Sequence, residues 1–169
     1  KLKVSEAISV LEIFKKAGYK TYWISNQQPL RRPTSAIASL SDEEYFISHE
    51  FHGVEVRRYD EVLLPKIKQA ITDEAKHKVI FVHLMGSHLQ YENRYPEERV
   101  VFNDTVGIRA YSDDLSSSQV DYINAYDNSV HYTDFVLEEI SKQETAKIPQ
   151  LFDVLGAAIH TILKDGFQK

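Results

Sequence analysis

The chain of 169 residues contains no cysteine, one methionine and one tryptophan. Without thiols there is no disulfide to staple the fold, no thiolate to hold a metal and no cysteine nucleophile, and the redox state of the compartment leaves no mark. An excess of positive charge is missing as well. The 20 Lys and Arg residues face 25 Asp and Glu, giving a formal net charge of −5. A nucleic-acid surface needs a basic face, so no nucleic-acid partner is expected. No apolar run approaches the ~20 residues of a membrane-spanning helix, and no signal peptide is visible. The length fits one ordinary domain with a real core.

What is present centres on residues 78–96, KVIFVHLMGSHLQYENRYP. Val79-Ile80-Phe81-Val82 is an unbroken run of strand formers, the pattern of a strand buried on both faces in a parallel sheet. It gives way to Gly86, Ser87 and His88. Ligands of open α/β sheets sit beyond the carboxyl ends of the strands, so these three residues lie where chemistry is expected. His83, still inside the strand, reads as a core histidine with its hydrogen bonds satisfied.

In chain order, Ser5 is read as the N-cap of a helix to about Ala17, with Ile8, Leu11 and Phe14 buried beside Ala7 and Val10, and Gly18 at C′. Residues 20–25 read as a strand. Asn26 falls at its carboxyl end and either lines a polar cleft or bonds its own backbone in a turn. A loop and a short helix over 34–40 follow. In His49-Glu50-Phe51-His52 the histidines are three apart rather than the four of the zinc-protease motif, which leaves them as loop residues. Asp60 is read as the cap of a helix to about Thr72 that turns Leu63, Leu64, Ile67, Ala70 and Ile71 to the sheet, with Pro65 near its first position. The alternation of helix and strand implies right-handed crossovers and a parallel sheet. Residues 116–118 cap the longest helix, ending near Ser141, with Ile123, Tyr126, Val130, Leu137 and Ile140 on its buried face. Asp127, His131 and Asp134 share another face, read as solvated or helix-pairing. Residues 148–164 read as a final amphipathic helix.

The stretch HLMGSHLQYENRYP resembles the MGSH-x-x-x-Y-x-x-RYP segment of the bacterial phosphoethanolamine transferases, which are zinc-dependent members of the alkaline phosphatase/sulfatase superfamily. Three more stretches agree in order and spacing: AGYKTYWISNQ from Ala17, YDEVLLP from Tyr59, and NAYDN from Asn124 with YTDFVL from Tyr132. The matched part is about residues 4–141. The remainder, 142–169, holds only the expected C-terminal helix. Leu89-Gln90-Tyr91, where many members have Gly-Pro, is similar to the branch acting on heptose of the lipopolysaccharide core.

The resemblance implies a three-layer α/β/α fold with a mainly parallel sheet, of which the chain is a partial catalytic domain. It also implies a longer, membrane-anchored protein whose catalytic part faces the periplasm. In the family mechanism a zinc-activated threonine takes phosphoethanolamine from phosphatidylethanolamine and passes it to a sugar hydroxyl of lipid A or the lipopolysaccharide core. His88 matches the histidine that meets the transferred phosphoryl group or a second zinc beside it. Asn26, Ser87 and Arg94 are the expected substrate contacts. The family's zinc ligands and nucleophilic threonine match no position here, so no metal ligand is assigned. Three other readings stay open: a phosphoglycerol transferase, another hydrolase of the superfamily, and a non-catalytic module binding glycan or lipid headgroups. A sulfatase needs a cysteine or serine oxidised to formylglycine, and cysteine is absent.

Overall fold

The computed structural model describes residues 8–29, 33–47, 50–51, 54–55, 57–104 and 114–143. The expected N-cap Ser5, the pair His49 and His52, and the expected helix over 148–164 lie outside them.

Helix α1 (Val10–Lys16) is shorter than expected and is capped by Ser9. The Ser9 side chain accepts from Leu11 N–H, and Glu12 reaches back to the Ser9 N–H at 2.9 Å, a complete capping box. At its other end Gly18 adopts φ +84°. Gly18 N–H donates to Lys15 O and Tyr19 N–H to Phe14 O, both at 3.0 Å, which closes a Schellman motif. The Phe14 and Tyr19 rings meet at 5.5 Å and supply the accompanying apolar contact. The buried stripe is narrower than the sequence pattern. Leu11 is fully buried, whereas Ile8 and Val10 are exposed.

Strand β1 (Lys20–Ser25) has the predicted limits and lies at the centre of a three-stranded sheet. It pairs in parallel with β2 (Glu43–Phe46) on one side and β5 (Lys78–His83) on the other, with Trp23 opposite Phe81 and Ser25 opposite His83. Between β1 and β2 runs the short helix α2 (Pro33–Ala38). Strands β3 (Glu50–Phe51) and β4 (Val54–Glu55) form a small antiparallel pair. After a 3-10 turn at Asp60–Leu63 comes α3 (Leu64–Ile71), with its proline in the first turn as expected.

Alternation along β1 separates two packing layers. Tyr22 and Ile24 point to a core completed by Leu63, Ile67 and Ala70 near and on α3, and by Tyr132, Val136 and Ile140 on α4 (Ser117–Gln143). On the opposite face the Trp23 and Phe81 rings stack at 6.0 Å, and Phe14 of α1 meets Phe81 at 6.3 Å. Helices therefore cover both faces, the α/β/α order expected from the sequence.

Two expectations about burial are corrected. The apolar run of β5 is partly rather than fully buried, because among the described residues β5 pairs only with β1 and stands at the sheet edge. Helix α4 is rotated from the expected face over its first half, while Ile140 near its end is buried as expected. Its buried residues include Val120, Asn124, Ala125, Asn128 and Ser129, while Tyr126 and Val130 are exposed. The inner asparagines explain this. Asn128 Oδ1 accepts from Val101 N–H (2.8 Å) and Phe102 N–H (2.9 Å), and its amide donates to Phe102 O (2.7 Å). One turn earlier, the Asn124 amide donates to Asp104 O at 3.1 Å. The helix thus uses this face to satisfy backbone groups of the preceding segment, which joins no strand among the described residues.

Candidate functional site

Parallel strands β1 and β5 end side by side, so the residues that follow them share one edge of the sheet. Asn26 N–H donates to His83 O (2.9 Å), which carries the ladder one step beyond the strand. Gln27 then reaches across, its Nε2 donating to Leu84 O at 2.8 Å. Beneath these bonds Ser25 Oγ lies 3.0 Å from His83 Nδ1. The same hydroxyl donates to Gln27 O and accepts Gln27 N–H, both at 3.0 Å.

His83 is half-buried against the Trp23 ring, 5.6 Å between centroids. Burial lowers its pKa from the ordinary value and outweighs the opposing pull of the Asp60 charge. It is the core histidine the sequence predicts, desolvated and engaged with Ser25.

The strongest contacts at this edge come from Asp60, which is 3% exposed. Its Oδ1 accepts from Asn26 Nδ2 (2.7 Å) and Met85 N–H (2.8 Å), and its Oδ2 from Gly86 N–H (2.8 Å). The sequence reading of Asp60 as a helix cap is corrected. The 3-10 turn is capped at Tyr59 with no side-chain hydrogen bond, and the carboxylate turns instead to the loop after β5. That loop turns at Gly86 (φ +53°) and again at Gln90 (φ 65°). A Cβ built on Gly86 would stand 4.0 Å from Thr133 Oγ1 of α4, so the helix backs the turn without crowding it.

Beyond the turn Ser87 is half-buried and His88 is exposed. Arg94 folds back under them. Its Nε donates to His88 O (3.1 Å) and its Nη2 to Leu89 O (2.6 Å). Tyr91 packs at 5.1 Å against both Tyr122 and Tyr126 of α4, fixing the far end of the loop.

The expected site residues therefore separate. Ser87 and His88 follow one another on the loop, the first half-buried and the second exposed. Arg94 shares the loop and spends two of its nitrogens on its carbonyls. Asn26 is fully buried, and its amide donates to Arg58 O at 3.2 Å as well as to Asp60. Its part is to hold Asp60. Among the described residues no group of three His, Cys, Asp or Glu could hold a metal ion. Asp127, His131 and Asp134 stay on a largely exposed helix face, as the sequence reading has it. No described helix is long and apolar enough to cross a membrane.

The family model described as Sulfatase matches residues 5–144. The phosphoethanolamine transferase EptC of Escherichia coli is 31% identical over 147 residues, covering 85% of this chain and 25% of that protein. The phosphoethanolamine transferase CptA of Salmonella typhimurium is 34% identical over 123 residues, 72% of this chain and 21% of that protein. The crystal structure of the C-terminal periplasmic domain of EcEptC in complex with Zn superposes with a TM-score of 0.73 at 30% identity, covering 80% of this chain and 38% of that one. The chain thus spans about a quarter of the length of the curated relatives it matches. Alike in sequence over most of its residues and alike in the order of its strands and helices, the chain belongs to the sulfatase family.

Proposed function

We propose that this chain forms part of the catalytic domain of a phosphoethanolamine transferase that moves phosphoethanolamine from phosphatidylethanolamine to lipopolysaccharide, on core heptose or lipid A. The complete protein is membrane-anchored in this reading, with the catalytic part facing the periplasm. The observation that carries the proposal is the identity of 31% and 34% to two named phosphoethanolamine transferases over most of the chain. The exposed His88 on a braced loop at the carboxyl edge of a parallel sheet agrees with it.

In this reading His88 donates a ring N–H to an oxygen of the transferred phosphoryl group and stabilises the charge that builds there. Ser87 offers a hydroxyl beside it. Arg94 shapes the loop and presents the rest of its guanidinium to an anionic group. A zinc ion is present in the solved EptC domain. The described residues do not fit one, since they bring no three ligands together.

Mass spectrometry of lipopolysaccharide from cells with and without the full-length gene tests the reaction. A phosphoethanolamine adduct that depends on the gene is expected, and identical spectra would overturn the reading. Within the complete protein, His88→Ala should lower transfer by ~10²–10³-fold, the usual loss when one donor to a developing oxyanion is removed. Its far-UV spectrum and unfolding midpoint should stay unchanged, because the side chain is exposed. Wild-type turnover would take His88 out of the mechanism.

A further inference from the structure

We propose that Asp60 is the positioning residue of the His88 loop, acting as an internal anion that fills a binding nest made by the backbone N–H groups of Met85 and Gly86. Successive N–H groups leading into a residue of positive φ make a concavity suited to an anion. Here Gly86 has φ +53° and both N–H groups point at one carboxylate, 2.8 Å from each of its oxygens. The carboxylate is 3% exposed, so solvent anions do not reach the nest. Asn26 holds the carboxylate in turn, at 2.7 Å, and is itself fully buried. The order of support runs from Asn26 at the end of β1, through Asp60, to the two amides two and three residues before His88.

Two consequences follow. The phosphoryl group of a substrate is not bound by the Met85 and Gly86 amides, which are already saturated, and has to be met by side chains further along the loop. The charge of Asp60, and not only its size, sets the path of the chain into Ser87 and His88, because hydrogen bonds to a charged acceptor are stronger than neutral ones. The meaning of this for transfer rests on the proposed function. The geometry of the loop does not.

The experiment replaces the carboxylate and then returns it as a free ion. In the full chain, Asp60→Ala should speed amide hydrogen exchange at Met85 and Gly86 by roughly ten- to a hundredfold, the range carried by hydrogen bonds to a charged group, and should move the His88 ring resonances. Sodium formate, a carboxylate small enough for the vacated space, should restore protection and return those resonances, whereas chloride at equal ionic strength should not. Restoration supports the proposal. A loop unchanged by Asp60→Ala, or one perturbed but indifferent to formate, overturns it. If Asp60→Ala does not fold, Asp60→Asn carries the test. It keeps the volume but removes the charge and puts an NH2 donor in place of one acceptor oxygen, so protection should fall at Met85 or Gly86, and protection unchanged from the parent at both overturns the proposal. Transfer measured on the same variants in the complete protein bears on the catalytic reading alone, so the two can fail separately.

Discussion

Two histidines five residues apart at the end of β5 have opposite surroundings, and each follows from what its backbone position offers. His83 is the last residue of a paired strand and faces Ser25 and Trp23, so it is desolvated. Its pKa lies below the ordinary 6.5 through burial. Above 6.5 the folded and unfolded chains both hold it neutral and it has no effect on the pH dependence. As the pH falls through that value the unfolded chain takes up a proton that the folded chain resists, and stability drops. His83→Gln should flatten this part of the curve, which urea titrations at a series of pH values between about 7 and 5 would show. Equal slopes in the two proteins would contradict the assignment. The core role of His83 was legible because an imidazole inside an apolar strand run has few other fates. The role of Asp60 was not. An acidic residue just before a helix looks the same in sequence whether it caps that helix or reaches 25 residues ahead to another loop.

At the scale of elements, local rules located the ends of structures better than their faces. Gly18 was placed at C′ from the sequence and is found there with φ +84°. A Cβ added at this position meets nothing within 4 Å, so Gly18→Ala acts through backbone strain alone. It should lower stability by about 1–2 kcal/mol, the cost of holding an L-residue in the left-handed region. Ser9→Ala should lower it by about 1 kcal/mol through loss of the capping box. Chemical denaturation of each variant measures both, and Gly18→Asn should recover part of the first loss. The inner face of α4 was misread for a physical reason. Tyr126 and Val130 have the right spacing for a core stripe, but Asn124 and Asn128, also four apart, are drawn inward by the carbonyls and N–H groups of the segment before the helix. A buried asparagine pair at helical spacing is a signal for a neighbouring irregular chain. Strand β2, which among the described residues pairs only with β1, escaped notice because Glu43 and Glu44 dilute its apolar pattern.

Across the whole molecule the two ends of the sheet divide the work. The carboxyl edge carries the loop of Ser87 and His88. The amino edge is tied by charge: Lys20 bridges Glu43 (2.8 Å) and Asp73 (2.9 Å), while Lys15 meets Asp42 at 2.9 Å. Asp42 also accepts from Thr21 N–H and Oγ1. The Lys15 ammonium chiefly, with Thr21, lowers the Asp42 pKa to about 2. The Ala75 N–H and then Lys20 lower that of Asp73 to about 2. Their contribution is present in full above the ordinary carboxyl value of 3.8 and disappears as the pH falls to about 2. Asp42→Asn and Asp73→Asn should therefore weaken the fold at neutral pH, and their stability should converge with that of the parent chain near pH 2. Both side chains are partly open to solvent, so salt should shrink the difference. The layered α/β/α plan was readable from the alternation of helix and strand. The centre of the sheet was not, since β1 and β5 are similarly apolar and only pairing decides which is enclosed.

Asp60 also ties together stretches of chain that are remote from one another, with Asn26 34 residues before it and Gly86 26 residues after. Links of such range close late, after slower long-distance docking has brought the strands home. A molecule halted with β5 undocked would own every residue of the His88 turn and none of its shape. The finished shape of this edge is in that sense a certificate of completed assembly, issued only when three separately written segments have met.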